Sequence, residues 1–233
     1  MPLDPRDPRR TAPGGLLLLA GLALLLLAGR ADAQCPASAL TFPSIPQFLV
    51  NAAVFDTTSP DGGRIRADLH TLEFFLHHPG SLSPTDLVAR DRYDVTGVPP
   101  GTPVPVTVHF DIVGFAHTEG CGGTGCGGEL VATLRAGAAS SQGTFFGYSF
   151  VGRGDFSGRV DLPVTLVAGV PVVLEFELWS RRVPGGSHTV DANGRVSFEG
   201  ADPNATIVSC QGYGPRTVPV EGTSWGRLKR IYR

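Results

Sequence analysis

From Val104 to Ile112 the chain alternates with a period of two. Val104, Val106, Val108, Phe110 and Ile112 are apolar, and Pro105, Thr107, His109 and Asp111 lie between them. Successive side chains of a strand point to opposite faces, so this run has one face in a core and the other in solvent. Val160, Leu162, Val164 and Leu166 repeat the pattern against Asp161, Pro163 and Thr165. Leu174, Phe176 and Leu178 repeat it against Glu175, Glu177 and Trp179. Less regular runs predict strands at Phe48–Phe55, Arg64–Phe75, Leu87–Val95, Glu129–Arg135, Thr144–Val151, Gly194–Phe198 and Thr206–Cys210. Turn formers separate them: Ser59-Pro60-Asp61-Gly62-Gly63, Val98-Pro99-Pro100-Gly101, Pro184-Gly185-Gly186 and Asp191-Ala192-Asn193-Gly194. Turn signals at short intervals, with hardly any helical period, predict an all-β fold, a single antiparallel β-sandwich of about eight to ten strands. Phe74 to Asp86 departs from the pattern. It is apolar, then histidine-rich, then broken by Pro79-Gly80 and Ser83-Pro84, and it predicts a long loop crossing between sheets.

One continuous apolar run, Leu16 to Ala28, is of another kind. Its 13 residues fall short of the roughly 20 that cross about 30 Å of hydrocarbon. Arg6, Arg9 and Arg10 precede it, and Ala31-Asp32-Ala33 follows as an A-x-A cleavage site. Together these make a secretory signal peptide. The expected organisation is a signal peptide over residues 1–33, a β-sandwich domain over 34–220 and a basic C-terminal tail over 221–233. The processed chain is then exported, to the periplasm, cell surface or extracellular space, with no membrane span of its own.

Removing the leader takes four of 19 basic and three of 21 acidic residues, leaving 15 against 18. A chain this close to neutral argues against nucleic acid, whose phosphates demand a strongly basic face. The charge is uneven, however, because Arg227, Lys229, Arg230 and Arg233 fall in the last seven residues. Export also decides how Cys35, Cys121, Cys126 and Cys210 are read. An even count in an oxidising compartment points to two disulfides. The glycine-rich loop Gly120-Cys121-Gly122-Gly123-Thr124-Gly125-Cys126 can bring its two cysteines together, which leaves Cys35 for Cys210.

Other chemistry in the sequence is thin. Gly120, Gly122 and Gly125 satisfy G-x-G-x-x-G, but no helix follows to complete a dinucleotide site, so no cofactor is expected. His117, Cys121 and Cys126 are ligand types for zinc or copper, yet they lack a fourth partner nearby, and no metal is assigned. His77 and His78 with His70 upstream form a second histidine group, although neighbours on a strand face opposite ways. His109 and Asp111 have the spacing of a base and its orienting carboxylate, which is equally the spacing of any wet strand face. No nucleophile or zinc-hydrolase motif occurs, and the chain is read as no enzyme. Glu175 and Glu177 lie on one strand face roughly 7 Å apart. With Trp179 they form a candidate ligand platform, since sugars stack on exposed aromatic rings.

Three segments carry a resemblance. They are Val95-Thr96-Gly97-Val98-Pro99-Pro100-Gly101-Thr102-Pro103-Val104-Pro105-Val106, Leu162-Pro163-Val164-Thr165-Leu166-Val167-Ala168-Gly169-Val170-Pro171-Val172 and Gly194-Arg195-Val196-Ser197-Phe198-Glu199-Gly200. They resemble the core of uncharacterised exported bacterial β-domain proteins, some of which carry PEP-CTERM sorting tails. The resemblance spans about residues 90–211, is one of strand-and-turn style, and implies no reaction. The Pro-Glu-Pro and terminal hydrophobic helix of the sorting-tail members do not occur in this sequence. Instead Trp225-Gly226-Arg227-Leu228-Lys229-Arg230-Ile231-Tyr232 looks like a Trp-Gly-x-x-Lys-x-x-Tyr ending of exported bacterial proteins. Trp225, Leu228 and Tyr232 fall at helical spacing, and with Lys229 they make a candidate docking tail. The expected function is an envelope-associated or extracellular structural or adhesive domain whose partner is a protein or glycan of the cell envelope. A carbohydrate-binding module is the alternative, and a secreted hydrolase the third reading.

Overall fold

A computed structural model describes residues 39–40, 48–49, 54–80, 82, 84–119, 127–147, 152–182, 187–200, 202–210 and 212, the first two pairs as backbone only. The expected signal peptide, Cys35, Cys121, Cys126 and the tail over 221–233 lie outside these residues. In chain order the strands are β1 (Ala39–Leu40), β2 (Phe48–Leu49), β3 (Val54–Thr58), β4 (Arg64–Asp68), β5 (Glu73–His78), β6 (Thr85–Thr96) and β7 (Pro103–Glu119). They continue as β8 (Gly128–Ala136), β9 (Ala139–Phe146), β10 (Gly152–Val167), β11 (Val172–Arg182), β12 (Ser187–Gly200) and β13 (Thr206–Ser209).

Among the described residues there is no helix, and the strands form an antiparallel β-sandwich. One sheet has six strands in the order β10-β7-β12-β5-β4-β3, and the other has five in the order β13-β6-β11-β8-β9. β1 and β2 pair separately. The sandwich therefore holds eleven strands, because the run expected as one strand over Arg64–Phe75 is two, β4 and β5. They are folded at a turn where Leu72 takes a positive φ of 55° and is fully buried.

The alternating runs bury the faces that their periods predict. Val104, Val106, Val108, Phe110 and Ile112 of β7 meet Leu174, Phe176 and Leu178 of β11 in one core, with Phe74 and Tyr93 between them. The Phe74 ring stands edge-on to Phe110 at 5.6 Å and tilted to Phe176 at 5.8 Å, arrangements that add to the area term of burial.

Two expected boundaries move. The Asp191–Gly194 turn lies instead in the middle of β12, between β5 and β7, where Val190, Ala192 and Val196 are buried. Gly194 has a packing purpose there, since a Cβ would come within 2.5 Å of the Phe110 ring. The crossing expected over Phe74–Asp86 is shorter, because β5 takes Phe74 to His78 and only the residues before β6 pass between sheets. Gly97, at φ 86°, opens the connection from β6 to β7. A Cβ on it would lie 2.1 Å from the Asn204 carbonyl oxygen, which ties that turn to the one before β13.

Candidate functional site

The candidate platform is a column on the outer face of the five-stranded sheet. Glu175, Glu177 and Trp179 alternate with the buried Leu174, Phe176 and Leu178, so β11 turns all three outward. Cross-strand register then gives each a neighbour. Glu175 lies between Arg90 of β6 and Arg135 of β8, and both guanidinium groups bond its carboxylate. Arg135 reaches Glu177 as well, at 2.8 Å. Trp179 lies between Asp86 and Val131, with the Arg181 guanidinium over its ring at 5.2 Å. Arg181 in turn pairs with Glu129.

Asp86 is the member that local spacing did not reveal. Its Oδ1 is buried and has no hydrogen-bond partner among the described residues. Burial pushes the Asp86 carboxyl up to about 7, reinforced by the negative charges of Glu177 and Glu175 and opposed by Arg135. An acid held near 7 beside two arginine-neutralised carboxylates is the polarisation an acid–base pair uses, and also what a buried carboxyl on any crowded sheet face acquires. The signal that points to it is register: Asp86 stands opposite Trp179 only once β6 and β11 are paired.

A second group lies inside the sandwich at one end. His78 of β5 and His188 of β12 are fully buried, with ring centroids 5.6 Å apart. Thr118 Oγ1 is 3.2 Å from His188 Nδ1, and the Phe146 ring is 5.2 Å from the His188 ring. Gly128 permits this packing, because a Cβ there would come within 2.3 Å of the imidazole. His188 Nε2 has no partner among the described residues. Burial drives its pKa down to about 4, helped by repulsion from His78 and Arg182, so His188 is a neutral core side chain. Phe74-x-Leu76-x-His78 and His188-x-Val190-x-Ala192 already place both histidines in apolar columns, a signal that spacing between histidines does not carry.

The outer face of the six-stranded sheet holds His77, His109 and His117, whereas His70 lies in the turn between β4 and β5, where its backbone N–H bonds the Asp68 carboxylate. His77, one residue from His78, turns outward and bonds Asp191 at 2.8 Å, so the adjacent pair is split between two faces. His109 does not engage Asp111. Its Nδ1 lies 2.6 Å from Asp161 and its Nε2 3.1 Å from Glu199, while Asp111 accepts two hydrogen bonds from Arg159. The nearest carboxylates come from neighbouring strands, β10 and β12, because β7 is paired on both sides. His117 Nε2 lies 2.7 Å from Glu119 Oε1 and 3.0 Å from Arg153 Nε, so one nitrogen faces both charged neighbours. An open hollow of about 480 Å³ lies beside Glu199, the partner of His109, lined also by Pro105, Thr107, Pro163, Thr165 and Gly200 among others. Among the described residues, no group of three or more histidine, cysteine, aspartate or glutamate side chains is arranged to hold a metal ion.

Cys210, directly after β13, is disulfide-bonded, and its partner lies outside the described residues. Its strand is fixed to β6 beside it, where the Ser209 hydroxyl and the Arg92 N–H both bond the buried Asp91 carboxylate. Trp225, Leu228, Lys229 and Tyr232 of the candidate docking tail also lie outside the described residues. No described helix is long and apolar enough to cross a membrane. Comparison of the chain with protein-family models and with curated proteins finds no match.

Proposed function

We propose that the chain is an exported, non-enzymatic β-sandwich with a structural or adhesive role at the cell envelope or outside it. The observation that carries this reading is how the candidate chemistry is used. Glu175, Glu177, His77, His109 and His117 each bond a charged side chain within their own sheet, and they are spread over two opposite faces. A reaction centre needs such groups to converge on one substrate. The leader supports export, and export supports the pairings Cys35–Cys210 and Cys121–Cys126. Intact mass of the secreted chain tests both: the chain should begin at Gln34 and gain four protons on reduction, and a smaller gain would remove one bridge.

A carbohydrate-binding module is the second reading, favoured by the unpartnered Asp86 oxygen beside Trp179. Arg181 over the indole weighs against it by occupying a stacking face. An array of envelope glycans and peptidoglycan fragments probed with the purified chain separates the two. The structural reading expects no glycan binding that depends on Trp179. Binding that is lost in Trp179→Ala and Asp86→Ala, with the fold intact, would replace it with the carbohydrate reading.

A further inference from the structure

The two outer faces differ in what they leave uncovered. On the five-stranded sheet the outward valines Val88 and Val131 are buried, and the carboxylates of Glu175 and Glu177 already hold arginines. On the six-stranded sheet Val113 and Phe115 remain 52% and 39% exposed, two residues apart on β7. Register puts Asp155 of β10 on one side of Phe115 and Asp191 of β12 on the other. Asp155 is exposed and makes no ion pair among the described residues, and Asp191 meets only the His77 ring. The result is an apolar step with a carboxylate on each side of Phe115, beyond which stand Arg195 and the paired Arg153 and Arg159, in a chain that also carries an aromatic, basic segment.

That segment is residues 225–233 of the same chain. Residues 225–233 combine Trp225, Leu228, Ile231 and Tyr232 with Arg227, Lys229, Arg230 and Arg233, and they contain no acid. Reach is sufficient. The last described residue is Gly212, and the 12 residues from Tyr213 to Ser224 extend up to about 40 Å. β13 is the edge of its sheet on the side where β6 touches β4, so the route passes the β3 edge. The sheets of a sandwich lie about 10 Å apart and four strand spacings of about 4.8 Å separate β3 from β7, roughly 30 Å across, while Cys210, bonded to Arg92 next to the Tyr93–Phe198 contact, is level with Val108 and about 24 Å short of Phe115 along β7, which makes about 38 Å in all. Apolar contact would hold the aromatics, and the cations would face carboxylates that lack a strong partner.

We infer that the face around Phe115 and Val113, flanked by Asp155 and Asp191, is the docking surface for this chain's own segment Trp225–Arg233. The chain has two tryptophans, so Trp179→Phe leaves Trp225 as the sole reporter. In that full-length protein, Trp225 should be quenched by acrylamide severalfold less than in a free peptide of residues 221–233. Phe115→Ser and Asp155→Lys should each restore peptide-like quenching with the far-ultraviolet circular dichroism unchanged, because both side chains lie on the outer face of the sheet. Added salt should raise quenching in the parent. Peptide-like quenching in the parent would overturn the inference, as would shielding that survives both face variants. Shielding that grows with protein concentration would place the segment on a second copy and overturn the intramolecular form.

Discussion

The outer faces of the two sheets arise from the same alternating pattern, yet one is closed and the other open. On the five-stranded sheet Arg90 bonds Glu175 and Arg135 forks onto Glu175 and Glu177, on a face whose Val88, Val131 and Thr133 are buried although they point outward. Arginine can do this because its guanidinium bonds two carboxylates at once while its methylenes cover apolar surface. On the six-stranded sheet arginines pair too, Arg64 with Asp56, Arg153 with Glu119 and Arg159 with Asp111, but Asp155 and Asp191, the cross-strand neighbours of Phe115, hold none among the described residues. Val113 and Phe115 consequently stay exposed. Burial of a sheet's outward side thus depends on where its arginines stand as well as on a second layer.

This contrast can be broken at Asp86, the group with the most to lose. Its ordinary pKa of 3.8 is raised to about 7, chiefly by burial, so the folded chain keeps a proton that the unfolded chain has released. Stability from this group is therefore greatest below pH 3.8 and falls as pH rises through 7. A tenfold change in proton affinity between the folded and unfolded chain corresponds to about 1.4 kcal/mol. Asp86→Asn should accordingly stabilise the protein by about 2–4 kcal/mol at pH 8 and by nothing near pH 3. Urea unfolding at the two pH values checks it, and an equal effect at both would refute the burial account.

Next in size is Arg135→Met, which strips the shared cation from two carboxylates and should cost about 2 kcal/mol, less than a deep pair because Arg135 is itself partly exposed. Arg159→Met on the other face should leave the unfolding midpoint unchanged, since the Arg159–Asp111 pair stands in solvent. Equal losses for the two would erase the distinction between the faces. The smallest effect is an isosteric one. Val131→Thr buries a hydroxyl and should cost about 1–2 kcal/mol, whereas Val113→Thr should stay within about 0.5 kcal/mol in the same urea titration.

The strands were legible wherever one face is wet. β7, β10 and β11 follow period two, and β11 turns Glu175, Glu177 and Trp179 to one side as the pattern requires. What the pattern cannot supply is register, because the identity of a cross-strand neighbour is set by turns and bulges far from the residue concerned. Hence Asp86 beside Trp179, and Asp161 and Glu199 beside His109, emerge only from the paired sheets. The Asp191-Ala192-Asn193-Gly194 segment misleads for a related reason. Its turn-forming composition is overridden by two flanking strands and by a Phe110 ring that needs the space of Gly194.

β12 carries a consequence for the order in which the chain can fold. It is the penultimate of the described strands, yet it separates β5 from β7, so among the described residues β3, β4 and β5 are joined to the rest of their sheet only through residues 187–200. Until that stretch exists, the first three strands of the sheet form a short meander without their neighbour, and β7 exposes one of its ladders. Such a topology has high contact order and closes late. A chain emerging residue by residue, or held extended for passage through a membrane pore, is kept from premature closure by its own connectivity. The core is sealed only when residues 187–200 have joined it.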